Sequence, residues 1–240
     1  MLNKEKHALI MGQILKDIYS DIFLASLLGF KGGTCVYFFY DLPRFSVDLD
    51  FDLLSFEENK RQEVFIKIKN ILVKYGQIKD SHIKENTIFY LLSYGDNDHN
   101  IKIEISTRDL IKNIKDFYEL KEHLGTSLFI AKKDYMFSSK LVALIGRNNI
   151  AMRDVYDIYF FAKNNWVINS EIILLWTGKS IGEYLSDCIK TIEKIKENEI
   201  LAGLGELVNE KEKKWIKESL REEVIFLLKN YKFTLQKINL

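Results

Sequence analysis

Three aspartates recur at every second position in the segment SVDLDFDLL, residues 46–54. Asp48, Asp50 and Asp52 alternate with apolar residues, and alternate side chains of a β-strand project from one face. The pattern predicts a strand with one apolar face and one face of clustered carboxylates, which repel one another unless a cation lies between them. Oxygen ligands without a neighbouring His or Cys favour Mg²⁺ or Mn²⁺ over Zn²⁺. The alternative is a solvated acidic face on an edge strand.

A glycine pair and a threonine, Gly32, Gly33 and Thr34, precede this acidic segment. Glycines allow backbone N–H groups to approach a phosphate closely, and the start of a helix adds free N–H groups and a positive dipole end. The alternative is a simple turn in which Thr34 caps the helix. Together with the nearby Asp48 and Asp50, the glycine pair indicates a site for a nucleotide and a cation.

The loop between the two motifs, DLPRFS, contains the one proline of the chain, Pro43. Its fixed φ stiffens the loop ahead of the acidic strand and places Arg44 and Ser46. Arg44 fits two roles, a structural partner for carboxylates or a contact to a phosphate.

A later segment, NIKIEIS, repeats the pattern of one apolar and one charged face. Its isoleucines face one way, while Lys102 and Glu104 face the other. If this strand neighbours the acidic strand in one sheet, Glu104 joins Asp48 and Asp50 as a third carboxylate. The alternative is a solvent-facing Glu104 that pairs with a lysine across the sheet.

Two predicted helices further along the chain carry charged residues. Lys140 and Arg147 lie two turns apart on a face away from the apolar stripe of the first helix. On the second helix, Arg153 reaches Asp157 at i,i+4, and Asp154 lies on the same face as Asp157. The first helix could present its cations to a nucleoside triphosphate, and the alternative is that Lys140 is a solvated residue. An intrahelical network of charges explains the residues of the second helix without a ligand.

The remaining periodicities place these motifs on an α+β chain, with helices and strands first and helices alone afterwards. Residues 107–128 are predicted as one helix or two, and residues 95–98, GDND, as a turn. The end of the first helix also fits a buried strand. Helices are predicted over 4–28, 34–40, 56–75, 170–176, 181–197 and 205–230, and strands over 77–84, 87–94 and 100–106. We expect an α/β lobe over residues 1–125 and a helical lobe over residues 126–240.

The glycine pair, the short helix, Arg44-Phe45-Ser46 and Asp48-Leu49-Asp50-Phe51 together resemble the signature of the AbiEii/AbiGii toxin family. This family is a branch of the polymerase-β-like nucleotidyltransferase superfamily. The similarity covers roughly residues 20–165, and it includes a lysine on one helix followed by Arg-Asp-x-x-Asp on the next. It implies a polymerase-β-like nucleotidyltransferase lobe with a mixed sheet.

The resemblance also implies roles for the residues that match. Asp48, Asp50 and Glu104 would hold two Mg²⁺ or Mn²⁺ ions, and Lys140 would contact the nucleotide. Asp154 or Asp157 would be the acid of the last motif, and both remain open. The implied nucleotide-binding residues are Gly32, Gly33, Thr34, Arg44, Ser46 and Lys140.

The implied activity is transfer of a nucleoside monophosphate from a nucleoside triphosphate (NTP) to an RNA acceptor, for example the tRNA 3′ end. Such an enzyme would be the toxin of a toxin–antitoxin or abortive-infection system, with a cognate antitoxin as a partner. Two other functions fit the same residues. One is a small-molecule nucleotidyltransferase of the aminoglycoside-modifying kind, and the other is a non-catalytic protein that binds GTP or a protein partner.

Composition narrows the function little. The 240 residues are 47% hydrophobic and carry a net charge of +1, which neither creates a basic field for RNA nor excludes RNA. Cys35 and Cys188 show no metal or redox spacing, and the four histidines share no spacing and are interpreted as incidental. Because the N-terminus lacks a signal-peptide core and the longest apolar run, residues 22–30, cannot cross a bilayer, we expect a cytoplasmic protein without a membrane partner.

Overall fold

The computed structural model describes residues 3–55, 57–95, 100–108, 111–147 and 149–238. Contacts between residues divide the chain into two compact units. The first comprises Met1–Asp41 and Phe45–Lys132, and the second comprises Leu42–Arg44 and Lys133–Leu240. The first unit extends to Lys132, because residues 126–131 form one of its strands.

The first unit contains a mixed sheet. Its strands are β1 (Leu28–Lys31), β2 (Leu49–Leu53), β3 (Gln77–Lys84), β4 (Thr87–Ser93), β5 (Ile101–Ser106), β6 (Tyr118–His123) and β7 (Thr126–Ala131). Within the described residues the strand order is β3-β4-β5-β2-β1-β7-β6. The acidic strand β2 pairs antiparallel with β1 and parallel with β5, so it lies inside the sheet and the edge-strand interpretation is wrong. The mixed sheet confirms the predicted α+β class.

The helices of the first unit are α1 (Lys4–Ser20), α2 (Ile22–Leu27), α3 (Gly32–Phe39) and α4 (Glu58–Leu72). The single helix predicted over residues 4–28 is divided at Asp21, whose side chain accepts hydrogen bonds from the N–H groups of Phe23 and Leu24 and so caps α2. The last predicted residue, Leu28, already belongs to β1, as the alternative strand interpretation allowed.

The core of the first unit lies on the apolar face of the sheet. Helix α1 contacts α4 and β7, and α4 contacts β3 and β4. Phe51 of β2 and both Ile103 and Ile105 of β5 are fully buried. Burial of each such side chain contributes about 1.5–3 kcal/mol, which fixes the face that each strand turns inward. The charged residues that alternate with them therefore project from the opposite face.

The helix predicted within residues 107–128 is wrong. Ile114–Phe117 form a short 3₁₀ helix, and β6 and β7 follow as an antiparallel hairpin. The strands are joined at Leu124 and Gly125, which both have positive φ, the geometry that two-residue hairpins require. Charged residues at consecutive positions of β6 hid its alternation, and Gly125 was the signal for the turn. The turn predicted at residues 95–98 falls largely outside the described residues.

The described helices of the second unit are α5 (Lys133–Gly146), α6 (Met152–Lys163), α7 (Ser170–Thr177), α8 (Ile181–Glu193), α9 (Glu210–Trp215) and α10 (Arg221–Ile238). Helix α5 contacts α6, α7 and α8, and α10 contacts α6 and α8. Four residues predicted as the apolar stripe of α8 are buried: Leu185, Cys188, Ile189 and Ile192. A π-helical turn, Ile216–Leu220, joins α9 to α10. In the described part of the chain, every helix is too short or too polar to span a bilayer.

Candidate active site

The parallel register of β2 and β5 sets Asp50 directly beside Glu104. Neighbouring residues in register project from the same face of a sheet, so the two carboxylates share the face opposite the core. Asp48 immediately precedes β2 and lies two residues from Asp50. The sheet thus places Asp50 and Glu104 side by side, with Asp48 two residues from Asp50.

Lys102 lies among these carboxylates. Its Nζ is 3.2 Å from Oε2 of Glu104 and 3.7 Å from Oδ2 of Asp48. Burial disfavours the charged form of Lys102, but Asp48, Asp50 and Glu104 outweigh this effect and raise its pKa above the usual lysine value. At neutral pH the face therefore carries a permanent ammonium between its acids.

The carboxylates have the ligand chemistry of a magnesium site but not yet its spacing. Among the residues that the structure describes, no three His, Cys, Asp or Glu side chains are gathered closely enough to hold a metal ion. Carboxylate oxygens are the ligands that Mg²⁺ and Mn²⁺ prefer, so the donor set fits either ion once the side chains converge. In this structure the positive charge beside the carboxylates is the ammonium group of Lys102.

Asp52, the third acid of the strand, has a structural role. It is buried and accepts hydrogen bonds from Nζ of Lys31 at 2.5 Å and from the hydroxyl of Tyr118 at 2.6 Å. Lys31 belongs to β1 and Tyr118 to β6, so Asp52 links β2 to two other strands of the sheet.

The glycine pair forms the first turn of α3 and contacts the acidic strand. Gly32 has φ of +81°, and a Cβ atom placed there would lie 2.5 Å from Oδ2 of Asp50. Thr34 is buried, and its hydroxyl donates to the backbone carbonyl of Asp48. The helix begins at Gly32 with Lys31 as its N-cap, so the interpretation of Thr34 as the N-cap is wrong. Gly32 and Thr34 thus touch both aspartates of the motif.

Substitution of Gly32 by Ala should remove activity and also destabilise the chain. An alanine at positive φ with its Cβ against Asp50 strains the backbone by about 1–3 kcal/mol and pushes the carboxylate aside. Urea unfolding and nucleotide transfer measure the two effects. Gly182→Ala is the matched control, since nothing lies within 4 Å of its Cβ position. A Gly32→Ala variant as stable and active as the wild type would contradict this contact.

A buried histidine fixes the residue ahead of Asp48. Nε2 of His7 lies 2.9 Å from the carbonyl oxygen of Val47, and Nδ1 lies 2.6 Å from the hydroxyl of Tyr94. If Nε2 carries the proton, Nε2–H donates a hydrogen bond to the carbonyl of Val47 and Nδ1 accepts one from the hydroxyl of Tyr94. Both ring nitrogens then have a hydrogen-bond partner. The interpretation of His7 as incidental is therefore wrong, and nothing in its local sequence indicated a partner 40 residues away.

The second unit gathers Arg44, Lys140, Arg147, Asp154 and Asp157 into one cluster, in which Arg44 and the two acids are buried. Nε and Nη2 of Arg44 donate to the two oxygens of Asp157, at 2.6 and 2.7 Å. Nζ of Lys140 lies 2.6 Å from Oδ1 of Asp154 and 3.0 Å from Oδ2 of Asp157. Nη1 of Arg147 lies 2.7 Å from Oδ2 of Asp154. Lys140 and Arg147 thus bind the same acid of the following helix.

Arg44 forms a contact of the first kind that the sequence allowed, a pair with a carboxylate. Arg44 is only 2% exposed, and its bidentate pair with Asp157 explains its burial as a structural partner of a carboxylate. Its partner, however, is an acid of α6. The intrahelical network predicted for Asp157 is incomplete, because Arg44 and Lys140 also bind this residue.

Asp154 makes the stability of the chain depend on pH. Burial alone would raise its pKa, but Lys140 and Arg147 outweigh burial and hold the pKa of Asp154 below its usual value. A depressed pKa stabilises the fold above the unfolded value of about 4, and this contribution is lost as pH falls through the folded value. The wild type should therefore exceed Asp154→Asn in free energy of unfolding by about 3 kcal/mol near pH 6.

The difference between wild type and Asp154→Asn should begin to shrink below about pH 4, where the unfolded carboxyl takes up a proton, and should be lost once the pH falls below the lowered pKa of the folded carboxyl. Urea unfolding across this range measures it. Asp187→Asn is the control, because Asp187 pairs with Lys179 at the surface and should give a much smaller difference. An equal difference at all pH values would contradict the prediction.

Comparison with protein families matches residues 13–237 to the nucleotidyl transferase AbiEii toxin family of type IV toxin–antitoxin systems. The chain belongs to the AbiEii family. This confirms the resemblance in the sequence and extends it beyond residue 165, so the C-terminal helices also belong to the AbiEii pattern. The family supports nucleotidyltransferase activity and the toxin class.

Solved structures show the same fold in other proteins. A candidate nucleotidyltransferase from Helicobacter pylori is 23% identical with a TM-score of 0.63, over 97% of this chain and 96% of its own. JHP933 from Helicobacter pylori is 22% identical with a TM-score of 0.57 over the whole of both chains. MenT4, a nucleotidyltransferase toxin from Mycobacterium tuberculosis, is 17% identical with a TM-score of 0.58, over 93% and 83%. None of the curated proteins compared with this AbiEii-family sequence matches it significantly.

The sequence left Lys102 and Tyr118 without a role in this AbiEii-family site. Lys102 was visible two positions before Glu104, on the same face of one strand, and the spacing alone could have placed it among the acids. Tyr118, which binds Asp52, was hidden because its segment was read as a helix.

Proposed function

We propose that the chain transfers a nucleoside monophosphate from an NTP to an RNA acceptor, with the tRNA 3′ end as the first candidate. The observation that carries the proposal is the β2–β5 register, which sets Asp50 beside Glu104 while the first turn of α3 lies against Asp50. AbiEii membership supports the nucleotidyltransferase chemistry and the toxin class. In this proposal the protein is the toxin of a toxin–antitoxin or abortive-infection system.

Asp48, Asp50 and Glu104 would hold Mg²⁺ or Mn²⁺ in the proposed site. The bound ion would supply electrophilic stabilisation of the transferred phosphate and of the pyrophosphate that leaves. Glu104 has 41% of its side chain exposed, so an acceptor hydroxyl can approach it. We therefore propose Glu104 as the base that takes the proton of that hydroxyl.

The first turn of α3 would hold the triphosphate. Gly32 and Gly33 have no side chain of their own to keep a phosphate from the backbone, and no side chain among the described residues caps the N-terminus of α3, which carries a partial positive charge. Thr34 would act through position rather than contact, because its buried hydroxyl is already bonded to the carbonyl of Asp48. Ser46 is also buried, which supports a similar positioning role.

The cluster of the second unit would act through Lys140. The ammonium has three N–H groups, and Asp154 and Asp157 account for two of them. We propose that the third donates to a phosphate oxygen of the nucleotide. Arg44 and Asp157 would be positioning residues, because each faces the other in a bidentate pair.

Transfer of label separates the proposed acceptor from the alternatives. The purified protein is incubated with Mg²⁺, each α-³²P-labelled NTP in turn, and either total tRNA or an aminoglycoside. Label on tRNA supports the proposal. Label on the aminoglycoside would overturn the RNA acceptor, and nucleotide binding without transfer to either acceptor would overturn catalysis.

The toxin role has an independent readout in growing cells. Expression of the wild type alone should arrest growth, while Asp50→Asn expressed at the same level should not. The family description supports a cognate antitoxin as the partner. Growth unaffected by the wild type would overturn the toxin role even if transfer occurs in vitro.

A further inference from the structure

The ammonium of Lys102 occupies the position on the carboxylate face where a cation is needed. It lies within 4 Å of carboxylate oxygens from two strands, Asp48 before β2 and Glu104 of β5. Asp50 lies in register beside Glu104 on the same face of the sheet. Because β5 presents Lys102 and Glu104 on the same face, the strand that supplies a metal-ligand candidate also supplies a competitor for the metal.

We propose that Lys102 is a built-in counter-ion, which holds the carboxylates together without metal and must withdraw when a metal-bound nucleotide binds. This inference rests on the proposed function. Lys102 would be a positioning residue, and its charge would make the site bind a metal ion together with a nucleotide in preference to a metal ion alone.

Charge explains why the counter-ion would favour metal with nucleotide over metal alone. Three carboxylates and one ammonium carry a net charge of −2, and a divalent ion beside the ammonium is repelled by it. A triphosphate brings several negative charges and gives the displaced ammonium a new partner. Metal should therefore bind weakly by itself and more tightly together with an NTP.

The side chain of Lys102 can make this movement. It is 30% exposed rather than buried, and its stem of four carbons has rotatable bonds throughout. The strand need not move, because the backbone of β5 is held by pairing with β2 on one side and β4 on the other. Only the side chain must change rotamer for the carboxylates to become available.

Mn²⁺ binding without nucleotide tests the inference directly. The loss of the free Mn²⁺ signal in electron paramagnetic resonance gives the affinity for wild type, Lys102→Met, Lys102→Arg and Asp50→Asn. Lys102→Met removes the charge at similar length, so Mn²⁺ should bind about tenfold more tightly than to wild type. Lys102→Arg keeps the charge and should bind like wild type. A non-hydrolysable NTP should improve Mn²⁺ affinity less in Lys102→Met than in wild type.

The variants distinguish failure of this inference from failure of the proposed function. If Asp50→Asn binds Mn²⁺ as wild type does, the carboxylates are not the metal site and the proposed function fails as well. If wild-type binding depends on Asp50 but Lys102→Met binds Mn²⁺ no more tightly, the counter-ion role alone is overturned. Thermal unfolding identifies misfolding, and Lys102→Gln then takes the place of Lys102→Met with the same expectation.

Discussion

Asp50→Asn should reduce nucleotide transfer by at least about 10³-fold while the protein remains folded. Asp50 is in register with Glu104 and touches the first turn of α3, so it is the residue shared by the proposed metal ligands and the proposed phosphate contact. An amide of the same shape keeps the packing against Gly32 but removes the negative charge that a cation requires. Transfer of α-³²P label to tRNA gives the rate, and thermal unfolding confirms the fold.

The control makes the same chemical change elsewhere in the first unit. Asp80 of β3 is 51% exposed and lies beside His82, away from β2 in the strand order. Asp80→Asn should transfer at the wild-type rate. Normal transfer by Asp50→Asn would show that the carboxylates do not perform the chemistry, and an equal loss in Asp80→Asn would show that the assay reports stability.

The part of the site that the sequence predicted depends on local alternation. Asp48 and Asp50 in one segment, and Glu104 in another, each alternate with apolar residues, and burial of the apolar face determines where the acids point. That the two strands are neighbours followed from the family resemblance. The register that pairs Asp50 with Glu104 then comes from the sheet itself.

The missed contacts join residues far apart in the chain. Arg44 binds Asp157 across 113 positions, and His7 binds Val47 across 40. A charged residue in a loop and a histidine in a helix have many suitable partners in a sequence, and only the folded chain selects one. The hairpin of residues 118–131 was missed for a different reason. Charged residues at consecutive positions of β6 obscured the alternation that identifies a strand.

Asp157→Asn should lower the free energy of unfolding by about 3–5 kcal/mol, the largest stability effect expected from the charged residues of the second unit. Asp157 is fully buried, and its carboxylate is the bidentate partner of Arg44, which is also buried. Loss of the negative charge leaves the guanidinium without its counter-ion in a site that water does not reach. The charge of Asp154 also acts on Arg44, but the oxygens of Asp154 stay paired with Lys140 and Arg147, so Asp154 replaces only part of the lost interaction. Urea unfolding at neutral pH measures the loss.

Replacing both partners shows whether the unpaired charge is the cause. In Arg44→Leu combined with Asp157→Leu no buried guanidinium remains, so this double variant should lose less stability than Asp157→Asn alone. An Asp157→Asn variant within about 1 kcal/mol of wild type would contradict the buried pair. Nucleotide transfer measured on the folded fraction of Asp157→Asn shows whether Asp157 positions Arg44 or acts on the nucleotide. If Asp157 only positions Arg44, folded Asp157→Asn should retain most activity, whereas direct action on the nucleotide requires a loss comparable to that of Asp50→Asn.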